Sequence, residues 1–359
     1  MILTIFITFF SLIGLITLHE LGHFLFAKKF GVKVEEFGIG YPPRLFAKKI
    51  GETVYSLNLL PFGAFVRLSG EMEESDNTQS FSKQPINKRI LIVLGGVLAF
   101  WVIAAIIFSI VFSLGAPVAV EDEADANLIN PKVTIIAVAK DSPAQAAGLE
   151  VGDTIKELSF MDEQFSPDKT KQVQDFTNNH LNEEVNLTIE RGKEVFSVSL
   201  IPRISPPQGE GPMGVALIRT AIKKYPFYLA PWQGIVTTGK LTISIINGYA
   251  GAIKNVFIGK PSGVQMTGPV GVFQMLAQAQ ELGMIYFLNF LAMISVYLAV
   301  FNLMPIPAVD GGKLLFLTIE AVRKKPVSQK IEQNITAVFF MLLLILMVFV
   351  TINDISRIF

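Results

Sequence analysis

The chain has 359 residues, of which 51% are hydrophobic and 17% are charged, and its formal net charge at pH 7 is zero. With a mean hydropathy of +0.50, this composition excludes an ordinary soluble enzyme and indicates a membrane protein with several spans and some soluble mass. The balanced charge argues against a nucleic-acid partner. Because the chain has no cysteine, a bound metal has to be held by imidazole and carboxylate groups.

The first apolar segment, residues 2–26, contains an H-E-x-x-H motif that begins at His19 and ends at His23. No basic residue precedes Lys28, so the segment is predicted to be a retained transmembrane helix and not a cleaved signal peptide. On a helix, residues i and i+4 lie on one face, so His19 and His23 can bind Zn²⁺ together. Glu20 between them can then act as general base toward a metal-activated water.

Three more segments are long and apolar enough to cross a bilayer, which takes about 20 residues each. They cover residues 90–114, 284–303 and 335–352. Gly95 and Gly96 in the second segment predict a close approach to a neighbouring helix, because small residues allow such contacts in membranes.

Lysine and arginine are concentrated in two loops, between the first and second segments and between the third and fourth. The positive-inside rule therefore predicts that both loops are cytosolic and that both chain termini face outward. The long section of residues 115–281 is then placed on the outer side of the membrane.

The outer section is not uniform in sequence. Residues 133–201 alternate apolar and polar positions between glycine-rich turns, which predicts a soluble β-rich domain. Residues 232–258 are apolar but carry Lys240 and Lys254, and they predict a pair of amphipathic interfacial helices instead of a fifth span. The predicted domains are residues 1–115, with two spans and a cytosolic-side hairpin, 116–205, the outer domain, 206–283, a linker with interfacial helices, and 284–359, with two spans.

A catalytic zinc normally has three protein ligands, so one more is needed beside the two histidines. His180 lies among polar residues of the outer domain and is interpreted as a surface histidine. Asp310 is the better candidate, because the predicted topology brings it to the same cytosolic depth as His19, just beyond a helix that Pro305 interrupts. Non-helical backbone at this depth is tolerated where it lines a cavity.

These motifs resemble the site-2 protease family of intramembrane metalloproteases, and within it the bacterial regulator-of-sigma-E protease branch. The resemblance rests on the H-E-x-x-H motif in a first membrane helix and on the sequence N-L-M-P-I-P-A-V-D-G at residues 302–311. It implies that His19, His23 and Asp310 bind Zn²⁺ and that Glu20 is the catalytic base. It also implies that Asn302 contacts the substrate or the developing oxyanion.

Two shorter matches extend the resemblance. Residues 59–66 are similar to a re-entrant β-hairpin whose edge strand pairs with an unwound substrate, which implies substrate contacts from Gly63, Ala64, Phe65 and Val66. Ala64 stands where the family usually has a second glycine. A G-P-V-G sequence at residues 268–271 matches a further motif and implies substrate contacts from Gly268 and Pro269.

The outer domain carries the sequence S-P-A-Q-A-A-G-L-E-V-G-D at residues 142–153, which looks like the carboxylate-binding loop of a PDZ domain. In that interpretation, Gly148 and Leu149 offer backbone N–H groups to a peptide C-terminus. Alternatively, the domain acts as a size filter for substrates. The sequence shows one such domain, whereas the best-known members of this branch have two in tandem.

The predicted fold is therefore a polytopic α-helical membrane protein with four transmembrane helices, a membrane-associated β-hairpin and an inserted extracytoplasmic PDZ domain of the α+β class. The predicted function is a Zn²⁺-dependent intramembrane endopeptidase of the bacterial inner membrane. Its partners would be the bilayer and single-span substrates such as anti-sigma factors or remnant signal peptides. A membrane adaptor with a vestigial metal site and a transporter with an ion pathway are the alternatives.

Overall fold

The computed structural model describes residues 2–71, 77–123, 128–192, 194–207, 209–260, 262 and 267–358. The chain divides into two compact units. The first combines Met1–Ile110 with Tyr228–Phe359, and the second is the inserted stretch Val111–Phe227.

Helices of the first unit include four that are long and apolar enough to cross a membrane, as the sequence predicted. Their helical bounds are α1 (Ile2–Lys29), α2 (Ile86–Leu114), α7 (Met284–Leu303) and α9 (Gln329–Ile358). Three of these helices extend beyond the predicted apolar segments, because polar residues at a membrane boundary still continue the backbone hydrogen-bond ladder. The remaining helices of the first unit are α5 (Ala230–Phe257), α6 (Pro269–Leu282) and α8 (Asp310–Arg323).

One continuous helix, α5, occupies the region where a pair of interfacial helices was predicted. Its glycines at positions 239, 248 and 251 do not interrupt the helix. A single glycine weakens a helix by only about 1 kcal/mol, which packing can offset. The next helix along the chain, α6, lies outside that region. It begins after Gly268 and packs against α1, α7 and α9.

Two long strands, β1 (Val34–Ile50) and β2 (Thr53–Leu68), follow α1 and fold into a bent hairpin. Phe37 pairs with Tyr55 on one side and with Val66 on the other. The first part of β1 therefore lies between two parts of β2, and the hairpin forms four antiparallel rows. Residues 60–68 make up an outer row, beyond which the described residues contain no further strand.

The inserted unit is a seven-stranded sheet with two helices. In chain order it consists of β3 (Ala116–Ala119), β4 (Ile129–Val138), α3 (Pro143–Ala146), β5 (Thr154–Phe160), β6 (Glu163–Phe165), α4 (Thr170–Asn179), β7 (Val185–Arg191), β8 (Glu194–Leu200) and β9 (Val215–Lys223). The strand order is β3-β9-β4-β5-β7-β8, with β6 on β5.

The inserted unit extends beyond the predicted end of the outer domain at residue 205. Strand β9 closes the sheet by pairing with both β3 and β4, so residues 215–223 belong to the domain and not to a linker. Sequence reasoning missed this strand because a proline- and glycine-rich stretch separates it from β8.

Candidate metal centre

Helix α1 places His19 and His23 one turn apart, with their Nε2 atoms 3.3 Å from each other. His23 Nδ1 lies 2.9 Å from the carbonyl oxygen of Ile92. A carbonyl can only accept, so this bond puts the proton on Nδ1 and leaves the Nε2 lone pair directed at the site. The His19 ring stacks on Phe100 with a centroid distance of 4.4 Å. The neighbouring helix α2 therefore fixes the orientation of both imidazoles.

Glycines make this close packing possible. A Cβ at Gly22 would overlap the carbonyl oxygen of Gly95, so α1 and α2 touch through their backbones. A Cβ at Gly96 would overlap the Nε2 atom of His23 and press on the His19 ring. The predicted close approach at Gly95 and Gly96 therefore occurs, and Gly96 leaves the space that the imidazoles occupy.

Asp310 is the first residue of α8, after a turn that begins where α7 ends at Leu303. Pro305 and Pro307 in this turn lack backbone N–H groups and cannot continue the helix. Ala308 has a φ of 110°, which is a strained conformation for a residue with a side chain. Strain of this kind persists only where the surrounding structure enforces it.

Contacts around α8 hold Asp310 in place. A Cβ at Gly311 would overlap the backbone of the proline turn, so the helix packs directly on the turn. Along α8, Lys313 Nζ lies 3.1 Å from Glu71 Oε1, and Glu320 forms a salt bridge with the buried Arg89 at the start of α2.

The three predicted ligands meet in one cluster. Asp310 Oδ2 lies 3.3 Å from His19 Nε2 and 3.4 Å from His23 Nε2, so the three atoms form a nearly equilateral triangle. Ligand atoms about 2.0–2.2 Å from a tetrahedral zinc are about 3.3–3.6 Å apart, and the triangle has these dimensions. Asp310 Oδ2 is buried and has no hydrogen-bond donor within the described residues. The donor set therefore fits zinc.

The ionisation of Asp310 also suits a cation. Burial raises the pKa of this carboxyl, but in the absence of a metal ion, attraction to a protonated His23 and contacts with both imidazoles outweigh burial and hold the pKa below its usual range. The carboxylate is therefore the stable form, and it is the form that binds a metal.

Glu20 connects the metal cluster to the hairpin. Its Oε2 atom accepts a hydrogen bond of 3.1 Å from the backbone N–H of Val66. Val66 lies in the outer row of the hairpin. Its N–H is directed at α1 and not at the neighbouring row of the sheet. A cavity bordered by Glu20, His23, Asp310, Val66, Phe81 and Lys313 joins the two features.

The outer row of the hairpin runs along α1. Phe62 meets Phe9 edge to face at 6.5 Å, and a Cβ at Gly63 would lie 3.9 Å from Ile16. Phe65 stacks on Tyr41. The structure thus brings the predicted substrate-contacting residues of the hairpin to the same helix that carries His19 and Glu20.

Residues 7–346 match peptidase family M50. The chain belongs to this family. A Clostridium perfringens relative described as a zinc metalloprotease is 35% identical over 95% of this chain and 95% of its own length. The zinc metalloprotease RasP of Shouchella clausii is 27% identical, with 99% and 98% covered. The regulator of sigma E protease of Haemophilus influenzae is 25% identical, with 96% of each chain covered.

Membership in peptidase family M50 makes this chain a zinc metalloprotease of the site-2 protease type. A solved PDZ domain of the SdrC-like protein from Listeria innocua is 21% identical over 24% of this chain and 92% of its own length, with a TM-score of 0.20. A TM-score this low carries no argument for the fold of the inserted unit.

Asn302 of this M50 peptidase lies in the last turn of α7. Its Nδ2 atom donates a hydrogen bond of 2.9 Å to the carbonyl oxygen of Leu298 within the same helix. The structure thus shows the amide engaged in α7, and its contact with an oxyanion stays a prediction.

The loop predicted to bind a peptide carboxylate is arranged differently. Gly148 N–H donates to the carbonyl oxygen of Gln145, and Leu149 N–H donates to that of Ala144, each at 3.0 Å. These N–H groups are engaged within the turn, and their contact with a peptide carboxylate stays a prediction. A cavity between α4 and β9 is lined by Gln174, Thr177, Asn178, Met213, Val215 and Leu217.

His180 takes no part in the metal centre. Its ring packs against Phe160 and Phe176, and its nitrogens pair with Glu183 at 2.9 Å and Glu163 at 3.6 Å. Only 13% of its side chain is exposed, so it is a packed histidine and less exposed than the predicted surface residue.

Proposed function

We propose that this M50 peptidase cleaves the transmembrane segments of single-span membrane proteins inside the bilayer. The observation that carries this proposal is the direct hydrogen bond between Glu20 and Val66, because it joins a candidate general base beside three candidate zinc ligands to the edge of a sheet. A helical peptide bond is shielded, so cleavage requires an extended substrate, and a sheet edge can bind one.

His19, His23 and Asp310 would hold the zinc ion, and Ile92 and Phe100 would keep the imidazoles oriented. When bound, zinc acts as a Lewis acid that makes water more acidic and polarises a carbonyl group. Gly96 contributes by leaving room for both imidazoles.

Glu20 would accept the proton of the attacking water on a carboxylate oxygen and deliver it to the nitrogen of the leaving amine. The Val66 N–H aims the carboxylate, since it holds Oε2 at 3.1 Å. Asn302 would stabilise the developing negative charge on the substrate oxygen after its amide leaves the carbonyl oxygen of Leu298.

The substrate segment would pair with residues 63–66 as an added strand. Ala64 is only 3% exposed, so a substrate would meet this residue through the backbone edge of the strand and not through its side chain. The neighbouring Phe62 is 69% exposed and offers an apolar surface for the first contact.

The positive-inside distribution supports a bacterial inner-membrane orientation with both termini outside and the metal centre near the cytosolic face. The inserted unit would then be extracytoplasmic and would act as a PDZ domain. Its cavity between α4 and β9 would take an extended peptide, because among the described strands residues 215–218 of β9 pair only with β4. Anti-sigma factors and remnant signal peptides are the substrate classes that we propose.

The test uses purified wild type, Glu20→Gln and, as control, Glu35→Gln at an exposed glutamate of β1, all in lipid nanodiscs. Bound zinc and cleavage of a single-span reporter are measured. Zinc in all three, with cleavage by wild type and Glu35→Gln alone, supports the proposal. Equal cleavage by Glu20→Gln, or no zinc in any of them, overturns it. Partner binding without cleavage favours an adaptor, and zinc-independent ion flux favours a transporter.

A further inference from the structure

The G-P-V-G sequence at residues 268–271 forms the start of α6. A substrate contact was predicted for it, but in the structure it contacts another helix of the protein, α9. Gly268 is the N-cap residue of α6 but has no side chain to accept a hydrogen bond. The first backbone N–H groups of a helix need such acceptors. Near this helix start lies Asp354 of α9, which is 4% exposed and has no part in the proposed chemistry.

A carboxylate from a different helix fills the position of the missing cap. Asp354 Oδ2 accepts a hydrogen bond of 2.8 Å from the backbone N–H of Gly271. Gly271 is the third residue of α6, the position that a normal N-cap side chain contacts. A negative charge here also interacts favourably with the helix dipole.

Asp354 lies close to both glycines of the motif and is the nearest neighbour of Gly268, whereas Thr267 is nearest to Gly271. A Cβ at Gly268 would lie 2.7 Å from Asp354 Oδ2, and a Cβ at Gly271 would lie 3.1 Å from the same atom. Real Cβ atoms are not found at the shorter of these distances. The glycines therefore form a notch that the carboxyl group of Asp354 occupies.

We propose that Asp354 is a positioning residue that caps α6 and thereby joins α9 to the helices of the metal centre. Helix α6 packs against both α1 and α7. Its Leu276 shares a core cluster with Leu15 and Phe100, and Phe100 stacks on His19. A continuous series of packed contacts thus leads from the capped end of α6 to a candidate zinc ligand.

This inference differs from the predicted substrate contacts of Gly268 and Pro269 in one measurable way. If Gly268 is small to admit a substrate, the effect of enlarging it is independent of Asp354. If it is small to admit Asp354, the Gly268→Ala variant is more harmful while the carboxyl group is present than after its removal. The two substitutions are then coupled, as expected for residues in direct contact.

The experiment is a double-mutant cycle of Gly268→Ala and Asp354→Ala, with Asp354→Asn as the conservative variant and Asn353→Ala as the control on the same helix. Thermal unfolding, bound zinc, kcat and KM for the single-span reporter are measured in nanodiscs. The kinetic readout rests on the proposed function, whereas the unfolding readout does not. A wild type that is inactive on the reporter would therefore weaken the function without deciding the cap.

We expect Asp354→Ala to lower the unfolding temperature because a helix cap is lost, and to lower kcat/KM by up to about tenfold if the cap's stabilisation is transmitted in full to the metal centre, with zinc content unchanged. Asp354→Asn keeps an acceptor and should stay within about threefold of wild type. Gly268→Ala should be less harmful in the Asp354→Ala background than alone, in both unfolding and kinetics. The proposal is overturned if Asp354→Ala behaves like Asn353→Ala, or if the two substitutions are additive. Should Asp354→Ala fail to fold, Asp354→Asn with and without Gly268→Ala decides the same question.

Discussion

The hairpin of the first unit and the sheet of the inserted unit are both antiparallel, but they expose apolar residues to very different degrees. In the hairpin, Glu36 and Ser56 are buried and hydrogen-bonded to each other at 2.7 Å. Phe46 and Phe62 are 63% and 69% exposed, whereas Val34 and Leu68 pack in a core cluster with residues of α1 and α2. This arrangement suits apolar surroundings, in which polar groups have to be satisfied within the protein.

The inserted unit has the polarity of a water-soluble protein. Its core consists of aliphatic side chains such as Ile135, Leu187 and Ile189, all fully or almost fully buried. Arg191 pairs with Glu150 at the surface and also with the buried Asp153. This contrast is the one expected if the hairpin lies in apolar surroundings and the inserted unit in water.

The largest effect is expected at Gly96, because the candidate metal centre needs a residue without a side chain at this position. Gly96→Ala should abolish zinc binding and cleavage, because the new Cβ overlaps His23 Nε2. Gly14→Ala is the control, since a Cβ at Gly14 meets no atom within 4 Å. Zinc content by metal analysis would check this prediction. Normal zinc content in Gly96→Ala would show that the imidazoles bind metal in another arrangement.

A core substitution in the inserted unit should cause a large loss of stability that is confined to that unit. Leu187→Ala removes a side chain that is 0% exposed, and we expect a loss of about 2–5 kcal/mol in the unfolding free energy of that unit. Zinc binding should remain, because the candidate ligands belong to the other unit. Limited proteolysis beside zinc analysis would check both points. Parallel loss of zinc would indicate that the two units unfold together.

The cost in stability of a charge placed on an exposed apolar residue should show whether lipid or water surrounds that residue. Phe46→Glu in the hairpin should cost about 2–4 kcal/mol if the bilayer surrounds it. Val195→Glu, at a residue 57% exposed in the inserted unit, should stay within about 0.5 kcal/mol. Unfolding of both variants in nanodiscs would measure the difference. Equal costs would contradict a membrane-embedded hairpin.

The smallest effect concerns the buried carboxyl group of the hairpin. Burial raises the pKa of Glu36, but hydrogen bonds from Ser56 and Arg44 and the nearby charge of Arg67 outweigh burial and lower it. Its stabilising contribution is therefore complete above its ordinary pKa and is lost as pH falls through the lowered value.

Glu36→Gln should accordingly reduce stability by about 1–2 kcal/mol at pH 7. The difference from wild type should shrink below about pH 4. Thermal unfolding at several pH values checks the trend, with the exposed Glu35→Gln as control. A difference that grows toward acidic pH would be opposite in sign to this expectation.

The sequence by itself predicted the candidate metal ligands, the zinc protease family and the apolar helices. The spacing of His19, Glu20 and His23 follows from the helical repeat, and charge asymmetry pointed to Asp310 at the same depth. Family membership and a zinc cofactor agree with that reasoning. The candidate ligands and the apolar helices could be predicted from the sequence because they depend on local periodicity and on composition.

The tertiary structure decided everything that depends on partners distant in the chain. The double pairing of Phe37 that makes residues 60–68 an outer row, the inclusion of β9 in the inserted unit and the cavity beside α4 all arise from strand register. The contact between Asp354 and Gly271 joins residues 83 positions apart. No local pattern specifies such pairings, because they are fixed by which surfaces pack together once the helices and strands have formed.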